Sequence, residues 1–581
     1  MRTTAWRASP HRVAARTFTA AAITAGVVTA AIAGRAYRVL PPPQSPPVNA
    51  REVSRVPHAP QPTGVRPQAP WVPDNGDGTY RNPIIFADYS DPDVVRAGDD
   101  YYLISSSFHS VPGIPVLQSP DLVNWRIIGH ALTELPKPRY DTPQHGNGVW
   151  APALRFHAGL FWVFFGDPDL GIFMTTAQDP RGPWAPLVLV REARGWIDPC
   201  PLWDDDGQAY LVHAWANSRA GFNSVLTVNR MSPDGRRLLD DGVTVFDGHA
   251  THPTIEGPKF YKRNGYYYIF APAGGVKTGW QTVLRSRAVI GPYEDRIVLG
   301  QGSTEINGPH QGGWVETREG ASWFVHFQDR DAYGRVVHLQ PMMWRDDWPV
   351  IGREAGISGR GEPVLTWPVP KASTASRSGA VVPQTSDEFE TPSLGLQWQW
   401  NANPSTRWWS LTAHPGALRL YAQPASAEAA NLWPVPNLLF QKFPAPSFDV
   451  TTRLSVSALG RGESTGLLVM GSDYALVAVT RSEAGLAIEH RLCLGARGGE
   501  RETIAPLVAI ATEAVTLKVS VGAGAICRFA YSTDGRSFAT VGKPFTARPG
   551  QWIGARVGMF ASGPPGGRSG GYVDAEWFRI Q

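Results

Sequence analysis

Hydrophobic and polar positions along the chain repeat one short pattern five times. Each copy has a turn followed by a run of aromatic and β-branched residues, as in Asn264-Gly265 followed by residues 266–270. A turn dipeptide followed by such a run predicts a β-hairpin. An aromatic residue anchors each copy, and these anchors are Tyr102, Phe161, Tyr210, Tyr267 and Trp323. Their spacing of about 50 to 60 residues is the repeat length of a β-propeller blade.

Several of these units continue in the same way beyond their first hairpin. They run through a second strand and a turn to another aromatic residue, for example Trp125, Trp184 or Tyr293. No amphipathic helix of any length interrupts the pattern. The sequence therefore predicts a five-bladed β-propeller over residues 76–367. Because a propeller gathers its inner strands around one axis, residues far apart in sequence can meet at one mouth of its central channel.

The pattern changes after the fifth unit. Residues 368–385 are rich in Ser, Ala and Pro, which is typical of a linker. From Ser386 onward the chain carries many short alternating strands, such as 417–421 and 448–454. This pattern of short alternating strands predicts a β-sandwich over residues 386–581, so the predicted fold class is all-β.

The N-terminus reads as a targeting segment. Four arginines precede the apolar, small-residue stretch 18–34, and Ala31-Ile32-Ala33 offers a cleavage site. We expect residues 1–35 to be a signal peptide or an uncleaved anchor, and the Pro-rich residues 36–75 to be a linker. The protein is therefore predicted to be exported, as a secreted, periplasmic or surface-anchored protein. Contact with a membrane is expected only if the segment stays uncleaved.

Composition narrows the class of function. The 581 residues include 22 Trp, 60 Gly and 52 Pro, which suits an all-β protein that handles sugars. A net charge of +4 without basic clusters after the N-terminus excludes nucleic acid as a partner. Three cysteines exclude a disulfide framework: Cys200 is expected to be a small core residue, whereas pairing of Cys493 with Cys527 stays open. Asp574 or Glu388 is a candidate for a structural calcium ion, with ordinary solvation of an edge strand as the alternative.

Three acidic residues stand in unusual local settings. Asp91 and Asp198 each precede a proline, and Glu256 precedes Gly257-Pro258, just before a predicted strand. Carboxyl groups among apolar residues have shifted proton affinities, so they can act as acid or base near neutral pH. Two carboxyl groups on opposite sides of a sugar, with a third to tune them, are the equipment of glycoside hydrolysis. The alternative is that each acid only caps a turn.

Residues 82–352 resemble glycoside hydrolase family 43, the β-xylosidase and α-L-arabinofuranosidase family. The matching motifs, in the family's order, are Asn82-Pro83-Ile84, Asp91-Pro92-Asp93, Ser105-Ser106-Ser107-Phe108, Pro112-Gly113-Ile114-Pro115, Trp150-Ala151-Pro152, Ile197-Asp198-Pro199, Glu256-Gly257-Pro258 and Gly334-Arg335. The resemblance implies an inverting enzyme in which Asp91 is the general base and Glu256 is the general acid. Asp198 would tune the pKa of the acid and orient it. Residues 394–401 are similar to the start of the jelly-roll, concanavalin-like domain that follows family-43 β-xylosidases.

The resemblance also implies roles for residues around the acids. Arg335 resembles an arginine that binds the hydroxyls of the terminal sugar, with a surface salt bridge as the alternative. His310 resembles a histidine that contacts a central calcium ion or its waters, with a core histidine as the alternative. Phe108, Trp150 and Trp314 are candidates to stack on sugar faces, although large aromatic residues also dominate cores. The chemistry itself requires no cofactor; a structural calcium ion is the one metal expected.

The predicted function is that of an inverting exo-glycosidase. It would remove terminal β-1,4-xylosyl or α-L-arabinofuranosyl residues from plant cell-wall oligosaccharides or polysaccharides, and the sequence does not separate these two sugars. Two alternatives stay open. One is an endo-arabinanase, which needs a groove open at both ends, and the other is a carbohydrate-binding propeller without catalysis. Nothing in the sequence implies a protein partner.

Overall fold

The protein is described by a computed structural model over residues 69–357, 359–371 and 380–581. The predicted signal or anchor segment 1–35 and most of the linker 36–75 lie outside these residues, as does part of the linker 368–385. The predicted domain boundaries at these segments stay predictions. The described residues belong to one compact unit. None of the helices in the described ranges combines the length and apolarity needed to cross a membrane.

Five four-stranded antiparallel units follow one another along the chain, and they confirm the predicted five-bladed propeller. In chain order the strands are Asp93–Ala97, Asp100–Ile104, Gly113–Ser119 and Arg126–Leu132 in blade 1; Trp150–His157, Leu160–Asp167, Gly171–Ala177 and Val188–Glu192 in blade 2; Trp196–Trp203, Ala209–Trp215, Val225–Met231 and Val243–Asp247 in blade 3; Lys259–Arg263, Tyr266–Ala273, Trp280–Ser286 and Glu294–Leu299 in blade 4; and His310–Glu316, Ser322–Asp329, Arg335–Arg345 and Trp348–Ile351 in blade 5. Two short strands, Arg353–Glu354 and Gly361–Glu362, extend blade 4. The first strands of blades 5, 1, 2, 3 and 4 touch in that order, and the first strand of blade 5 meets the second strand of blade 4, so the blades close a ring.

The turn dipeptides seen in the sequence make the tight hairpins of the blades. Asn264 and Gly265 have φ angles of 50° and 72°, and they connect two paired strands of blade 4. Two consecutive residues with positive φ match the right-handed twist of paired strands, and Gly and Asn adopt such angles most easily. The aromatic run that follows buries Tyr268 and Phe270 beside Phe324 of blade 5. The turn residues and the packing between blades therefore favour the same hairpin.

The segment before blade 1 closes the ring of blades. Ile85 exchanges backbone hydrogen bonds with Val337 of blade 5, at 3.3 and 3.0 Å. The Asn82 side chain donates to the carbonyl of Leu339 and accepts from its N–H. A small two-stranded sheet then pairs Thr79–Arg81 with Thr366–Pro368, the two ends of the propeller. These contacts tie the start of the propeller to its last blade.

The C-terminal residues form two facing antiparallel sheets, which is the predicted sandwich. One sheet contains Gln399–Trp400, Gln423–Pro424, Leu439–Lys442, Ser464–Met470, Tyr474–Ser482, Gly485–Cys493, Thr503–Ile504, Val508–Ile510 and Arg556–Gly563, and the other contains Trp409–Ser410, Leu418–Tyr421, Phe448–Ser455, Ala514–Gly522, Ile526–Ser532, Ala539–Thr546 and Tyr572–Ile580. Alternate residues of Phe448–Ser455 are buried, as the period of two in a half-buried strand requires. The few helices described are short: Asn217–Ala220 is α-helical, and Arg139–Asp141, Asp331–Tyr333, Ala496–Gly498 and Ala523–Ala525 are 3-10 turns.

One apolar cluster spans the contact between the propeller and the sandwich. Phe86 and Tyr333 of the propeller are buried in the same cluster as Trp398 and Phe443 of the sandwich. The Tyr333 hydroxyl also donates to the carbonyl of Pro446, at 2.8 Å. Because this contact is apolar and hydrogen-bonded, we expect it to hold the two parts in one arrangement.

The option of a disulfide in the sandwich is wrong, whereas a calcium ion at Asp574 or Glu388 stays a prediction that the contacts of these residues do not favour. Cys493 and Cys527 are free and buried, and they lie in different sheets within different core clusters. Asp574 accepts two hydrogen bonds from Arg419, both at 2.8 Å, and Glu388 is paired in the same way with Arg579. Their oxygens are therefore engaged by guanidinium groups. Cys200 is a buried core residue, as expected.

Candidate active site

One residue at the entry to the first strand of every blade has left-handed backbone geometry. The five residues are Asp91, Ala151, Asp198, Gly257 and Gln311, with φ between 31° and 57°. Four of them precede a proline, at positions 92, 152, 199 and 258. In blades 2, 3 and 5 the strand register shifts at this point. Residues other than glycine seldom have positive φ, and those that do are concentrated at functional sites. We call this repeated left-handed position the fivefold turn, and it marks one mouth of the channel.

A pocket lies at this mouth. Its lining consists of Asp91, Phe108, Trp150, Ala151, Ile197, Asp198, Glu256, Val276, Gln311, Arg335 and Trp552. Every blade contributes to it, and Trp552 comes from the sandwich. The three predicted carboxyl groups therefore face one cavity, although they lie up to 165 positions apart in the sequence, between residues 91 and 256.

Asp91 is held by several donors. Its Oδ2 accepts from the hydroxyls of Ser90 and Ser106, at 2.8 and 2.6 Å. Its Oδ1 accepts from Nη1 of Arg335 at 3.0 Å. Ser106 also accepts from the N–H of Ala151, so blade 2 helps to fix the same carboxylate. These donors compensate the negative charge and orient the carboxylate toward the cavity.

Asp198 and Glu256 meet across the turn that joins blades 3 and 4. Asp198 Oδ2 accepts from the N–H of Gly257 at 2.8 Å and from Nε2 of Gln311 at 3.3 Å. Gly257 is required at this place, because a Cβ there would lie 2.4 Å from the Gln311 side chain. The Glu256 side chain keeps 32% of its surface exposed, and that surface faces the pocket.

Burial and charge raise the proton affinity of both acids. Burial raises the pKa of Glu256 to about 8, and the neighbouring Asp198 carboxylate adds to the rise. Burial raises the pKa of Asp198 to about 7, while the hydrogen bond from Gly257 opposes the rise. Because donors stabilise the charged form of Asp198, the proton that this pair retains near neutral pH belongs on Glu256.

Arg335 lies inside the pocket rather than at the surface. Its Nη1 donates to Ser90 Oγ at 2.7 Å and pairs with Asp91, while its backbone N–H donates to Asp88. The guanidinium carbon stands 4.8 Å from the ring centre of Phe327. Since Arg335 also lines the cavity, it combines an ion pair with a position open to a ligand.

Two of the three predicted aromatic residues line the pocket. The rings of Phe108 and Trp150 meet edge to face, with centroids 6.4 Å apart. The prediction for Trp314 is wrong. Its ring packs between blades 4 and 5 against Tyr261 and Trp344, with centroids 5.2 and 5.0 Å away. This indole fills core space and does not belong to the pocket lining.

His310 lies behind Glu256 and outside the pocket lining. It is fully buried, its Nε2 is 3.6 Å from Glu256 Oε1, and burial lowers the pKa of its ring to about 3. Calcium takes roughly six to eight oxygen ligands. Within the described residues, no group of three or more His, Cys, Asp or Glu side chains could hold a metal. Both ring nitrogens of His310 are nevertheless buried without a hydrogen-bond partner, so the alternative of a satisfied core histidine does not describe it, and the calcium contact stays a prediction.

The sequence reasoning missed five lining residues. Ala151 and Gln311 occupy the same turn position as the acids, and the repeated residue-proline step was a signal that would have found Ala151. Ile197 belongs to the matched motif Ile197-Asp198-Pro199 but was given no role, and Val276 carried no signal, because it is an ordinary apolar residue. Trp552 could not be found from its neighbours, since only the packing of the sandwich on the propeller brings it to the pocket.

A five-bladed propeller with three carboxyl groups at one mouth of its channel has the equipment of a glycoside hydrolase. Residues 80–349 match Glycosyl hydrolases family 43, and residues 386–581 match the Beta xylosidase C-terminal Concanavalin A-like domain. The chain belongs to glycoside hydrolase family 43, and the protein is an enzyme of that family.

Similar proteins support this membership over most of the chain. A protein of Xylanibacter ruminicola, provisionally named a beta-xylosidase, is 44% identical over 496 residues, covering 84% of this chain and 87% of that protein. A non-reducing end alpha-L-arabinofuranosidase of Bacteroides ovatus is 31% identical over 419 residues, covering 68% and 74%. The crystal structure of the family-43 protein BlXynB from Bacillus licheniformis superimposes with a TM-score of 0.75 at 26% identity, covering 86% of this chain and 99% of that one.

Proposed function

We propose that this enzyme is an inverting exo-glycosidase that releases terminal β-1,4-xylosyl or α-L-arabinofuranosyl residues from xylan-type or arabinoxylan-type oligosaccharides. The observation that carries the proposal is the convergence of Asp91, Asp198 and Glu256 with Arg335 in one pocket. Relatives named as a beta-xylosidase and an alpha-L-arabinofuranosidase support the choice of sugars. Plant cell-wall saccharides are the proposed partner, and the predicted targeting segment supports export to where they occur.

In this proposal one face of the sugar lies against a carboxyl group that gives a proton, and the opposite face lies against a carboxyl group that takes one. Glu256, whose pKa burial raises to about 8, holds the proton that the glycosidic oxygen receives as the bond breaks. Asp91, whose oxygens accept hydrogen bonds from Arg335 and two serines, accepts a proton from the water that attacks the anomeric carbon. An attack from the face opposite the leaving group inverts the anomeric configuration, and it needs carboxyl groups roughly 6.5 to 9.5 Å apart. These steps use carboxyl groups and water without a metal.

The size of the pocket supports action on one terminal sugar. Its cavity measures about 110 Å³, somewhat less than the cavity of about 150 Å³ that binds benzene in an engineered protein. Trp552 of the sandwich stands at one side, 6.0 Å from Trp150 between ring centroids. An endo-arabinanase needs a groove open at both ends, so this flank argues against that alternative.

The experiment compares release of nitrophenol from aryl β-xyloside and aryl α-L-arabinofuranoside by the full chain and by Asp91→Asn. We expect the full chain to hydrolyse at least one of them, and Asp91→Asn to retain sugar binding while losing nearly all turnover. NMR of the first sugar released should show the inverted anomer. Release of the retained anomer, or turnover of neither glycoside, would overturn the proposal.

A further inference from the structure

A buried cluster of charged side chains lies on the first strands of blades 1, 2 and 4, two to four residues beyond residues that line the pocket. Asp93 Oδ2 accepts from Nη1 of Arg155 and from the N–H of Leu154, both at 2.9 Å. The ammonium of Lys259 lies 3.8 Å from the same oxygen and donates to the carbonyl of Pro152 at 3.0 Å. Asp93 and Lys259 are 0% and 1% exposed.

The fivefold turn at the mouth places these side chains. Asp93, Cys200 and Lys259 each follow a left-handed residue by two positions, in blades 1, 3 and 4. In blade 5 the equivalent residue is Gly313, where a Cβ would lie only 2.6 Å from Asp93 Oδ1. One layer of the axis therefore lines the pocket, and the next layer holds the cluster.

The two layers carry opposite charge. Cys200, whose pKa burial raises, is a neutral thiol that accepts from Arg155 at 2.7 Å. Asp93, Arg155 and Lys259 then sum to one positive charge. In the pocket layer, the groups that act on Asp198 are Asp91, Glu256 and Arg335, and His310 behind Glu256 is neutral; Lys259 acts on Asp198 from the cluster. With Glu256 protonated, the pocket layer sums to one negative charge.

Stability alone does not account for this arrangement. Lys259 is desolvated, with one carbonyl in hydrogen-bond range and a carboxylate at 3.8 Å. A buried cation paired this loosely costs free energy, and apolar residues of similar size often replace buried ion pairs without loss. Lys259 is, however, one of the two cations that oppose the rise in the pKa of Asp198, and the other is Arg335.

We propose that the cluster of Asp93, Arg155 and Lys259 is a positioning element of the active site, whose excess positive charge keeps Asp198 ionised and so places the shared proton on Glu256. The inference rests on the roles proposed for Asp198 and Glu256. It assigns to Lys259 an electrostatic task, since this side chain is sealed from substrate.

The test is a series of variants that changes the charge of the cluster in single steps. Asp93→Asn raises it to +2, Lys259→Met lowers it to zero, and the double variant restores +1. Removing the positive charge makes Asp198 easier to protonate. As the pH falls, Asp198 therefore gains its proton at a higher pH, and the active form with ionised Asp198 and protonated Glu256 is lost there. We expect the acidic limb of the kcat/KM profile to rise by about one pH unit in Lys259→Met and to fall similarly in Asp93→Asn.

The double variant separates charge from structure. If charge acts, its acidic limb returns to within a few tenths of a pH unit of the unmodified enzyme. If the cluster is only a packing element, the double variant is at least as impaired as either single variant and the limbs do not follow the charge; that result overturns the inference. Thermal melting shows that each variant is folded before its profile is compared.

Two control experiments show which group causes the shift of the acidic limb. Lys262→Met removes an amine from the same strand, where it pairs with Asp204 instead, and its profile should match the unmodified enzyme. In an Asp198→Asn background, assayed on an activated aryl glycoside, the charge series should no longer move the limb. A shift that persists there means that the cluster acts on another group, and the inference is wrong. If the unmodified enzyme hydrolyses no glycoside, it is the proposed function that fails.

Discussion

Glu256 and Asp91 face the same cavity, but their surroundings suit opposite proton states. Glu256 has a raised pKa because it is buried and lies near Asp198, whereas Asp91 is surrounded by donors from Ser90, Ser106 and Arg335. Pairs of acids whose environments differ in this way define the acid and the base of a catalytic site. At the scale of residues, therefore, the surroundings of each carboxyl group support the role that we propose for it.

Glu256→Gln should separate substrates by their leaving group. A poor leaving group needs the proton of Glu256, so its kcat/KM should fall about 10²- to 10⁴-fold. An activated aryl glycoside leaves without protonation, and its rate should change far less. Steady-state kinetics on a xylo-oligosaccharide and on a dinitrophenyl glycoside measure both effects. Equal losses on the two substrates would contradict the role of Glu256 as the acid.

Asp198→Asn should shift the pH profile at its basic side. The Asp198 carboxylate contributes to the raised pKa of Glu256, second to burial. Without this negative charge the pKa of Glu256 falls, so Glu256 loses its proton at lower pH and the basic limb moves down. A profile that loses height but keeps its shape would indicate that Asp198 orients the acid without tuning it.

At the scale of elements, the site depends on the left-handed turn at the entry to each first strand. Asp-Pro and Glu-Gly steps in the sequence predicted catalytic carboxyl groups at three of these five turns. Ala151 and Gln311 occupy the same position in the other two turns without any acid. Periodicity identifies strands because side chains alternate along them. It cannot report that one residue per blade breaks this alternation, since that depends on contacts between blades.

Gly257→Ala and Gly265→Ala form a matched pair of tests for that turn. Both glycines have positive φ, 57° and 72°, so the left-handed backbone alone should cost alanine about 1 to 2 kcal/mol of unfolding free energy at each site, and the contact with Gln311 should add to the cost at Gly257. Only Gly257→Ala should reduce kcat, by about tenfold or more, because its Cβ displaces Gln311 from beside Asp198. Denaturant unfolding and aryl glycoside kinetics measure the two effects. Similar activity in both variants would show that the turn geometry is not needed for catalysis.

At the scale of the whole molecule, the sandwich completes the pocket. The loop that carries Trp552 is tied to the propeller, because the N–H of Gly554 donates to Asp88 Oδ2 at 2.9 Å. The other oxygen of Asp88 accepts from the N–H of Arg335. One carboxylate therefore fixes the sandwich loop and the arginine of the site together.

Trp552→Ala should weaken sugar binding more than chemistry. The side chain is 45% exposed and stands beside Trp150 at the pocket, so its loss should raise KM about tenfold with a smaller change in kcat. Trp577→Ala is the control, because Trp577 lies elsewhere in the sandwich, stacked with Arg579. Unchanged KM in Trp552→Ala would mean that the sandwich does not contribute to substrate binding.

The sequence by itself determined the all-β class, the five blades, the sandwich and the three acids. Those features follow from local patterns: turn residues with special φ angles, alternating apolar runs and carboxyl groups beside proline or glycine. Only the tertiary structure decided that Trp552 enters the pocket, that Trp314 and His310 do not, and that Lys259 is buried beside Asp93. The reason is physical, since these outcomes depend on which surfaces pack together across hundreds of residues, and a local pattern carries no record of that packing.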